Sequence, residues 1–120
     1  MDVGDHPART LVLVVEDDAE LCRAIARCLE QRCCRVVTVD SVGPALELAD
    51  HFDIGIFDLN LPDGFGVGAA RELLARGTLG RAVFFTAAHD PPLLRAAREL
   101  GPIITKSSGV SNLIDTIGLA

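Results

Sequence analysis

The chain has 120 residues, a length typical of one domain, and 49% of them are hydrophobic, which is enough for a core of its own. The formal net charge of −6 argues against direct nucleic-acid binding, because such binding depends on lysine and arginine neutralising phosphates. No apolar run is long enough to cross a bilayer, and residues 1–7 lack a signal-peptide pattern. We therefore expect no membrane association and a cytoplasmic location.

The predicted elements alternate between strands and helices. The first strand, Thr10–Val15, is a continuous apolar run of the kind that is buried on both faces of a sheet. Three acidic residues follow it, and an amphipathic helix comes next. The apolar stripe of this helix comprises Leu21, Ile25, Cys28 and Leu29, and its polar face comprises Glu20, Arg23, Arg27 and Glu30.

The elements after the first helix are predicted from runs of β-branched residues, which favour strands, and from residues typical of helix caps. Arg35–Val39 is the second strand, and Ser41 is the predicted N-cap of a helix that has Pro44 in its first turn and runs to about Asp50. Ile54–Asp58 is the third strand. The remaining predictions are a loop over Leu59–Gly66, a helix over Val67–Arg76, a strand over Arg81–Thr86, a helix that Asp90 caps and that ends near Leu100–Gly101, a strand over Pro102–Lys106 and a helix over Val110–Leu119.

Five strand-then-helix units predict an α/β fold with a parallel sheet, right-handed crossovers and helices on both faces. We interpret residues 1–120 as one domain with a short tail at 1–8. The four cysteines, Cys22, Cys28, Cys33 and Cys34, show no zinc spacing. We expect all four to be reduced and Cys28 to act as a small buried hydrophobe.

Polar residues stand at the carboxyl ends of four predicted strands, where functional groups of such sheets gather. These are Glu16 and Asp17, then Asp58, Thr86 and Lys106. Clustered carboxylates repel one another, and Mg²⁺, which prefers oxygen ligands, relieves that repulsion. A carboxylate can also attack phosphorus, with an ammonium and a hydroxyl stabilising the phosphoryl oxygens. Each residue type alone is common in turns or on surfaces, but the combination favours phosphoryl chemistry.

The motifs LVLVVEDD, FDLNLPDGFG, FFTAA and TK resemble those of the response-regulator receiver family over nearly the whole chain. The resemblance implies a CheY-like, flavodoxin-like fold: a doubly wound, five-stranded parallel sheet of order 2-1-3-4-5 in three α/β/α layers. It implies that Asp58 accepts a phosphoryl group from a histidine kinase or phosphotransfer domain and that the chain catalyses only its own phosphotransfer and dephosphorylation. The implied ligands of Mg²⁺ (or Mn²⁺) are Asp17, Asp58, the backbone carbonyl of Asn60 and, through water, Glu16. Thr86 and Lys106 would contact the phosphoryl oxygens.

The resemblance also implies a bacterial source, a monomer or weak homodimer, and an output face made by the fourth helix, fifth strand and fifth helix. This face would bind a downstream effector or an output domain, and we expect no output domain within residues 1–120. Two positions depart from the family pattern: Ser107 replaces the usual proline after Lys106, and Ile103 replaces a frequent aromatic residue. Since a cis bond without proline costs about 3 kcal/mol, we expect the Lys106–Ser107 peptide to be trans.

Three other functions compete. A degenerate receiver would bind a protein partner without phosphorylation, and Ile103 and Ser107 favour it. A haloacid-dehalogenase-type phosphatase would need an acid two residues after Asp58, where Asn60 stands. A nucleotide site at Gly64, Gly66 and Gly68 lacks the strand-to-helix context of a dinucleotide fingerprint. His6, His51 and His89 are interpreted as surface residues.

Overall fold

A computed structural model of the chain describes residues 9–119. In chain order the elements are β1 (Leu11–Val15), α1 (Ala19–Gln31), β2 (Arg35–Val39), α2 (Val42–Leu46), β3 (Phe52–Phe57), β4 (Asn60–Leu61), β5 (Gly64–Phe65), α3 (Gly66–Arg76), β6 (Leu79–Thr86), α4 (Pro91–Arg98), β7 (Ile103–Thr105) and α5 (Gly109–Ile117). A single 3₁₀ turn, Lys106–Ser108, joins β7 to α5. The predicted tail at residues 1–8 lies outside the described residues.

The main sheet has the order β2-β1-β3-β6-β7, and every neighbouring pair is parallel. Because β4 and β5 form a separate two-stranded hairpin, this is the predicted order 2-1-3-4-5, which is confirmed. At the carboxyl end of the central strand, Val15 lies opposite both Val39 and Phe57. Residues that directly follow β1 and β3 therefore leave the sheet side by side.

Helices cover both faces of the sheet, so the predicted three layers are present. Alternate strand residues point to opposite sides, as the pleat requires. On one side Val12, Val14, Ile54 and Ile56 pack with α1 and α5; on the other Leu13, Val15 and Phe57 pack with α2, α3 and α4. The predicted stripe of α1 is confirmed, with Ile25 and Leu29 buried.

Cys28 packs at the edge of the α1–α5 side but is only half-buried, whereas Cys34 is buried. All four cysteines, each within the described range, are free of disulfide bonds. Of the helices the structure describes, none is long and apolar enough to cross a membrane.

Several predicted boundaries were wrong. The second helix was predicted to reach about Asp50 but ends at Leu46, because Leu48 to His51 turn back toward the sheet and β3 already begins at Phe52. Glycine and proline in its first turn also make it a poor helix former. β6 begins at Leu79, two residues earlier than predicted, since it pairs with the early start of β3. β7 is shorter than predicted, and Lys106 lies just beyond it.

The loop predicted over residues 59–66 contains the β4–β5 hairpin, with Pro62 and Asp63 at its turn, and α3 begins already at Gly66. α4 ends at Arg98, slightly before the predicted position, and α5 is shifted to Gly109–Ile117. Asp90 occupies the N-cap position of α4 but makes no side-chain capping bond. Such local bonds depend on neighbours that the sequence pattern does not specify.

Candidate functional site

The carboxyl ends of β1 and β3 place two carboxylates side by side. The backbone N–H of Glu16 donates to the carbonyl of Val39 at 3.1 Å, and the N–H of Asp58 donates to the carbonyl of Val15 at 3.1 Å. Each residue thus continues the hydrogen bonding of the parallel sheet by one step beyond its strand. Glu16 and Asp58 are consequently fixed at the same edge by the backbone itself.

Asp58 is nearly buried and has a partner on each carboxylate oxygen. The hydroxyl of Thr86, at the end of β6, donates to Oδ1 at 2.8 Å, and Nζ of Lys106 donates to Oδ2 at 2.7 Å. The backbone N–H of Ala88 donates to Oγ1 of Thr86 at 3.1 Å, which leaves the hydroxyl proton for Asp58. The structure therefore brings Asp58, Thr86 and Lys106 together as the strand-end rule predicts.

Lys106 also binds Glu16, which is only 3% exposed to solvent. Nζ lies 3.0 Å from Oε1 and 3.3 Å from Oε2 of Glu16, and the N–H of Asp18 donates to Oε2 at 3.1 Å. Burial raises the pKa of Glu16 above its usual value, although the bonds from Asp18 and Lys106 act in the opposite direction. Burial alone would lower the pKa of Lys106, but its hydrogen bonds to Asp58 and Glu16 raise it. One ammonium thus serves two carboxylates.

Asp17 completes an acidic cluster with Glu16 and Asp58. One carboxylate oxygen from each residue lies within 4.8 Å of the others, and Asp17 is exposed to solvent. Three carboxylates outnumber the single ammonium of Lys106, so negative charge remains in excess when all are ionised. Hard oxygen donors in this arrangement fit a divalent cation such as Mg²⁺ or Mn²⁺. The residues that the sequence predicts as cation ligands through their side chains are therefore adjacent.

Asn60, predicted to contribute its backbone carbonyl, lies at the start of β4, two residues after Asp58, and its side chain is exposed. Two supporting groups were missed from the sequence. Asp18 caps α1 through its carboxylate and also donates its N–H to Glu16, and the amide of Ala88 orients Thr86. An aspartate directly before an amphipathic helix is a capping signal, so only the role of Asp18 could have been found beforehand.

Comparison with known proteins agrees with this geometry. Residues 12–118 match the family model of the response regulator receiver domain. The chain belongs to this family. No curated protein matches the sequence.

Among solved structures, the chain is similar to the non-phosphorylated HemR receiver domain from Leptospira biflexa, at 26% identity over 91% of each chain with a TM-score of 0.77. It is also similar to a CheY-like receiver domain protein from Methanospirillum hungatei (20% identity, 91% of this chain and 90% of the other, TM-score 0.80). A third similar structure is TrrA from Thermotoga maritima in complex with Mg²⁺ and BeF (18% identity, 90% and 96%, TM-score 0.79). The last two similarities concern the fold alone.

The side of the receiver domain next to Lys106 departs from the family pattern. The Lys106–Ser107 bond is trans, as expected, and no cis peptide occurs between residues 9 and 119. Instead the chain forms the 3₁₀ turn, in which the hydroxyl of Ser108 donates to the carbonyl of Thr105 at 2.7 Å. Beside this turn, a cavity of about 230 Å³ is lined by Thr86, Ile103, Lys106 and residues of α4. The cavity therefore adjoins two residues of the site, and Ile103 forms part of its wall.

Proposed function

We propose that this receiver domain accepts a phosphoryl group on Asp58 from a phosphohistidine of a histidine kinase or phosphotransfer domain, in a reaction that needs Mg²⁺ or Mn²⁺. The observation that carries the proposal is the position of Asp58. Its two oxygens contact Thr86 and Lys106, and it shares an acidic cluster with Glu16 and Asp17. The family membership supports the same role.

In the proposed transfer, an oxygen of Asp58 forms a bond to phosphorus while the bond from phosphorus to the donor nitrogen breaks, and the donor imidazole keeps the electron pair. Asp17, Asp58 and the carbonyl of Asn60 would hold the cation, with Glu16 acting through water. The bound cation would neutralise charge on the phosphoryl oxygens.

The other groups already stand beside the acceptor. The ammonium of Lys106, now shared by Glu16 and Asp58, would turn to a phosphoryl oxygen. The hydroxyl of Thr86 would donate to a second phosphoryl oxygen once Oδ1 is no longer its acceptor. Because both groups bond to Asp58 before transfer, phosphorylation would change the contacts of β6 and of the turn after β7. We propose that this shifts a population of states at the face of α4, β7 and α5, where an effector or output domain binds.

This role is that of a signalling domain of a cytoplasmic two-component system, monomeric or weakly dimeric, and not of an enzyme that turns over a separate substrate. The competing function is a degenerate receiver that binds its partner without phosphorylation. The cavity beside Ile103 and the turn at Ser107 favour this second candidate, because both lie on the output side.

The test is intact-mass spectrometry after incubation with acetyl phosphate and Mg²⁺. We expect one phosphoryl adduct on the wild type and on the control Asp50→Asn, and none on Asp58→Asn or in EDTA. Asp50 is an exposed aspartate away from the cluster, so it controls for loss of one carboxylate. A folded wild type that stays unlabelled, beside a second receiver that labels, would contradict the proposal and favour the degenerate receiver.

A further inference from the structure

A side chain remote in sequence caps the start of α2. Asp63, in the turn of the β4–β5 hairpin, accepts the backbone N–H of Val42 at Oδ1 and that of Gly43 at Oδ2, both at 2.8 Å. Ser41 occupies the N-cap position that the sequence predicts but makes no capping bond, since its hydroxyl donates to Asp40. The first amide groups of α2 are therefore satisfied by the hairpin and not by the predicted residue.

The pKa of Asp63 supports this interpretation. The hydrogen bonds from Gly43 and Val42 lower it below the usual aspartate value. The carboxylate is thus ionised at neutral pH, and both of its oxygens are used by backbone donors. Although Asp63 is exposed, its side chain is held in one place.

The base of the same hairpin is packed on the phosphoacceptor. The N–H of Gly66 donates to the carbonyl of Leu59 at 2.9 Å. A Cβ at Gly66 would lie 1.8 Å from the carbonyl oxygen of Asp58, so only glycine fits there. The segment between Asp58 and α3 is consequently fixed at its base by Gly66 and at its tip by Asp63.

The other end of this connection also reaches the site. α2 follows β2, whose last residue, Val39, accepts the N–H of Glu16. A continuous path therefore runs from Glu16 through the end of β2 to α2, across the Asp63 bonds to the hairpin, and back to Asp58. Asp63 closes this ring, and Asn60, in β4, is one of the residues that form it.

We propose that Asp63 is a positioning residue for the cation site of this receiver domain. By joining the hairpin to α2, it holds the backbone between Asp58 and α3, including Asn60, in the conformation that completes the set of oxygen donors. It touches neither the cation nor the phosphoryl group. The inference rests on the proposed function, since it assigns Asp63 to the cation site that phosphotransfer would use. Pre-ordering a ligand segment improves affinity because less ordering remains to be done on binding.

Asp63→Ala tests the proposal, with Asp50→Ala as the matched control. Mg²⁺ binding is measured by titration calorimetry, and the melting temperature is measured separately in EDTA. We expect Asp63→Ala to bind Mg²⁺ roughly tenfold more weakly, the lower end of the range for groups that support metal ligands. Asp50→Ala should bind like the wild type, because no side-chain hydrogen bond of Asp50 is present within residues 9–119.

A second variant removes one of the same bonds from the other side. Val42→Pro deletes the N–H that Oδ1 accepts, and proline is well tolerated at the first position of a helix. We expect a smaller loss of Mg²⁺ affinity than in Asp63→Ala. Combining the two substitutions should cost less affinity than the sum of the single effects, since they share one bond.

The outcomes separate the two proposals. If the wild type binds Mg²⁺ but Asp63→Ala binds it equally well, with or without a lower melting temperature, the positioning role is overturned and the phosphoacceptor proposal stands. If the wild type itself binds no Mg²⁺, both are overturned. Weaker binding in Asp63→Ala and Val42→Pro, beside unchanged binding in Asp50→Ala, would establish the positioning role.

Discussion

The two ends of the sheet both contain close glycine contacts, but they differ in their buried polar side chains. At the amino end, backbone segments approach closely where glycine removes the side chain: a Cβ at Gly80 would lie 2.6 Å from the carbonyl oxygen of Asp53, and one at Gly101 would lie 1.9 Å from that of Ala82. At the carboxyl end, Glu16, Asp58 and Thr86 are the buried polar side chains of the described part of the chain. Gly66 makes an equally close contact at the carboxyl end, so the two ends are distinguished by the buried polar side chains, which include two carboxylates that compete with one another.

This difference indicates where stability and function reside. Close packing without buried polar side chains contributes to folding and does no chemistry. Buried carboxylates that share one ammonium oppose folding when they are ionised, so their presence fits a site that waits for a cation or a phosphoryl group. Substitutions at the amino end should therefore change stability alone, whereas those at the carboxyl end should change stability together with its dependence on pH and Mg²⁺.

The largest effect is expected at the amino end, from Gly101→Ala. The new methyl group would meet the backbone of β6, which cannot move without disturbing the sheet, so we expect a loss of about 3 kcal/mol in the free energy of unfolding. Urea denaturation followed by circular dichroism measures it. Gly68→Ala is the matched control: it lies in α3 with open space at its Cβ and should be stabilising. Equal effects of the two substitutions would contradict the packing argument.

A smaller effect is expected at the carboxyl end from Lys106→Met in EDTA. The substitution leaves Glu16 and Asp58 without their shared cation, which should cost about 2 kcal/mol at neutral pH, less than for a fully buried pair because the Lys106 side chain is 23% exposed. Mg²⁺ should reduce this cost, since it supplies positive charge to the same carboxylates. The exposed Arg71→Met in α3 serves as a control that should show neither effect.

The stability deficit of Lys106→Met should depend on pH, and the pKa of Glu16 sets the direction of that dependence. Because the pKa of Glu16 is raised, the folded protein binds more protons than the unfolded chain at pH values between the unfolded pKa of 4.5 and the folded one, so stability falls as pH rises through this interval. Without Lys106 that pKa rises further, so the deficit of Lys106→Met should grow as pH rises above 4.5. The stability from the raised pKa of Lys106 is present below 10.5 and is lost above its folded value. A deficit that does not vary with pH would indicate lost packing instead of charge.

The smallest effect is expected from Cys33→Gly. Cys33 follows α1 and has a φ of 64°. This left-handed conformation is energetically unfavourable for any residue that has a Cβ. The N–H of Cys33 donates to the carbonyl of Glu30. Glycine relieves this strain, so we expect a gain of about 0.5–1 kcal/mol, after the greater freedom of glycine in the unfolded chain is included. The melting temperature of Cys33→Gly is compared with that of Cys33→Ala, which keeps the Cβ and should show no gain. Equal melting temperatures for the two variants would contradict the strain argument.

The sequence by itself determined the order of strands and helices and the main cluster of the candidate site. A short continuous apolar run such as β1 is typical of a strand buried on both faces, and the spacing of the apolar residues in α1 is typical of a helix. In a parallel sheet these facts put the residues after each strand at one edge, which is why Glu16, Asp58, Thr86 and Lys106 could be predicted as neighbours. Their chemical roles stay predictions until phosphorylation and Mg²⁺ binding are measured.

Only the tertiary structure decided the features that depend on contacts distant in sequence. The short α2, the early start of β6 and the β4–β5 hairpin each follow from pairing or packing with another segment. The capping of α2 is the clearest case, because Ser41 has the right residue type in the right place and yet Asp63 makes the bonds. A local sequence pattern indicates that Ser41 is able to cap a helix. It does not indicate that Asp63 lies within hydrogen-bonding distance of Val42, because that contact forms only when the folded sheet brings the two segments together.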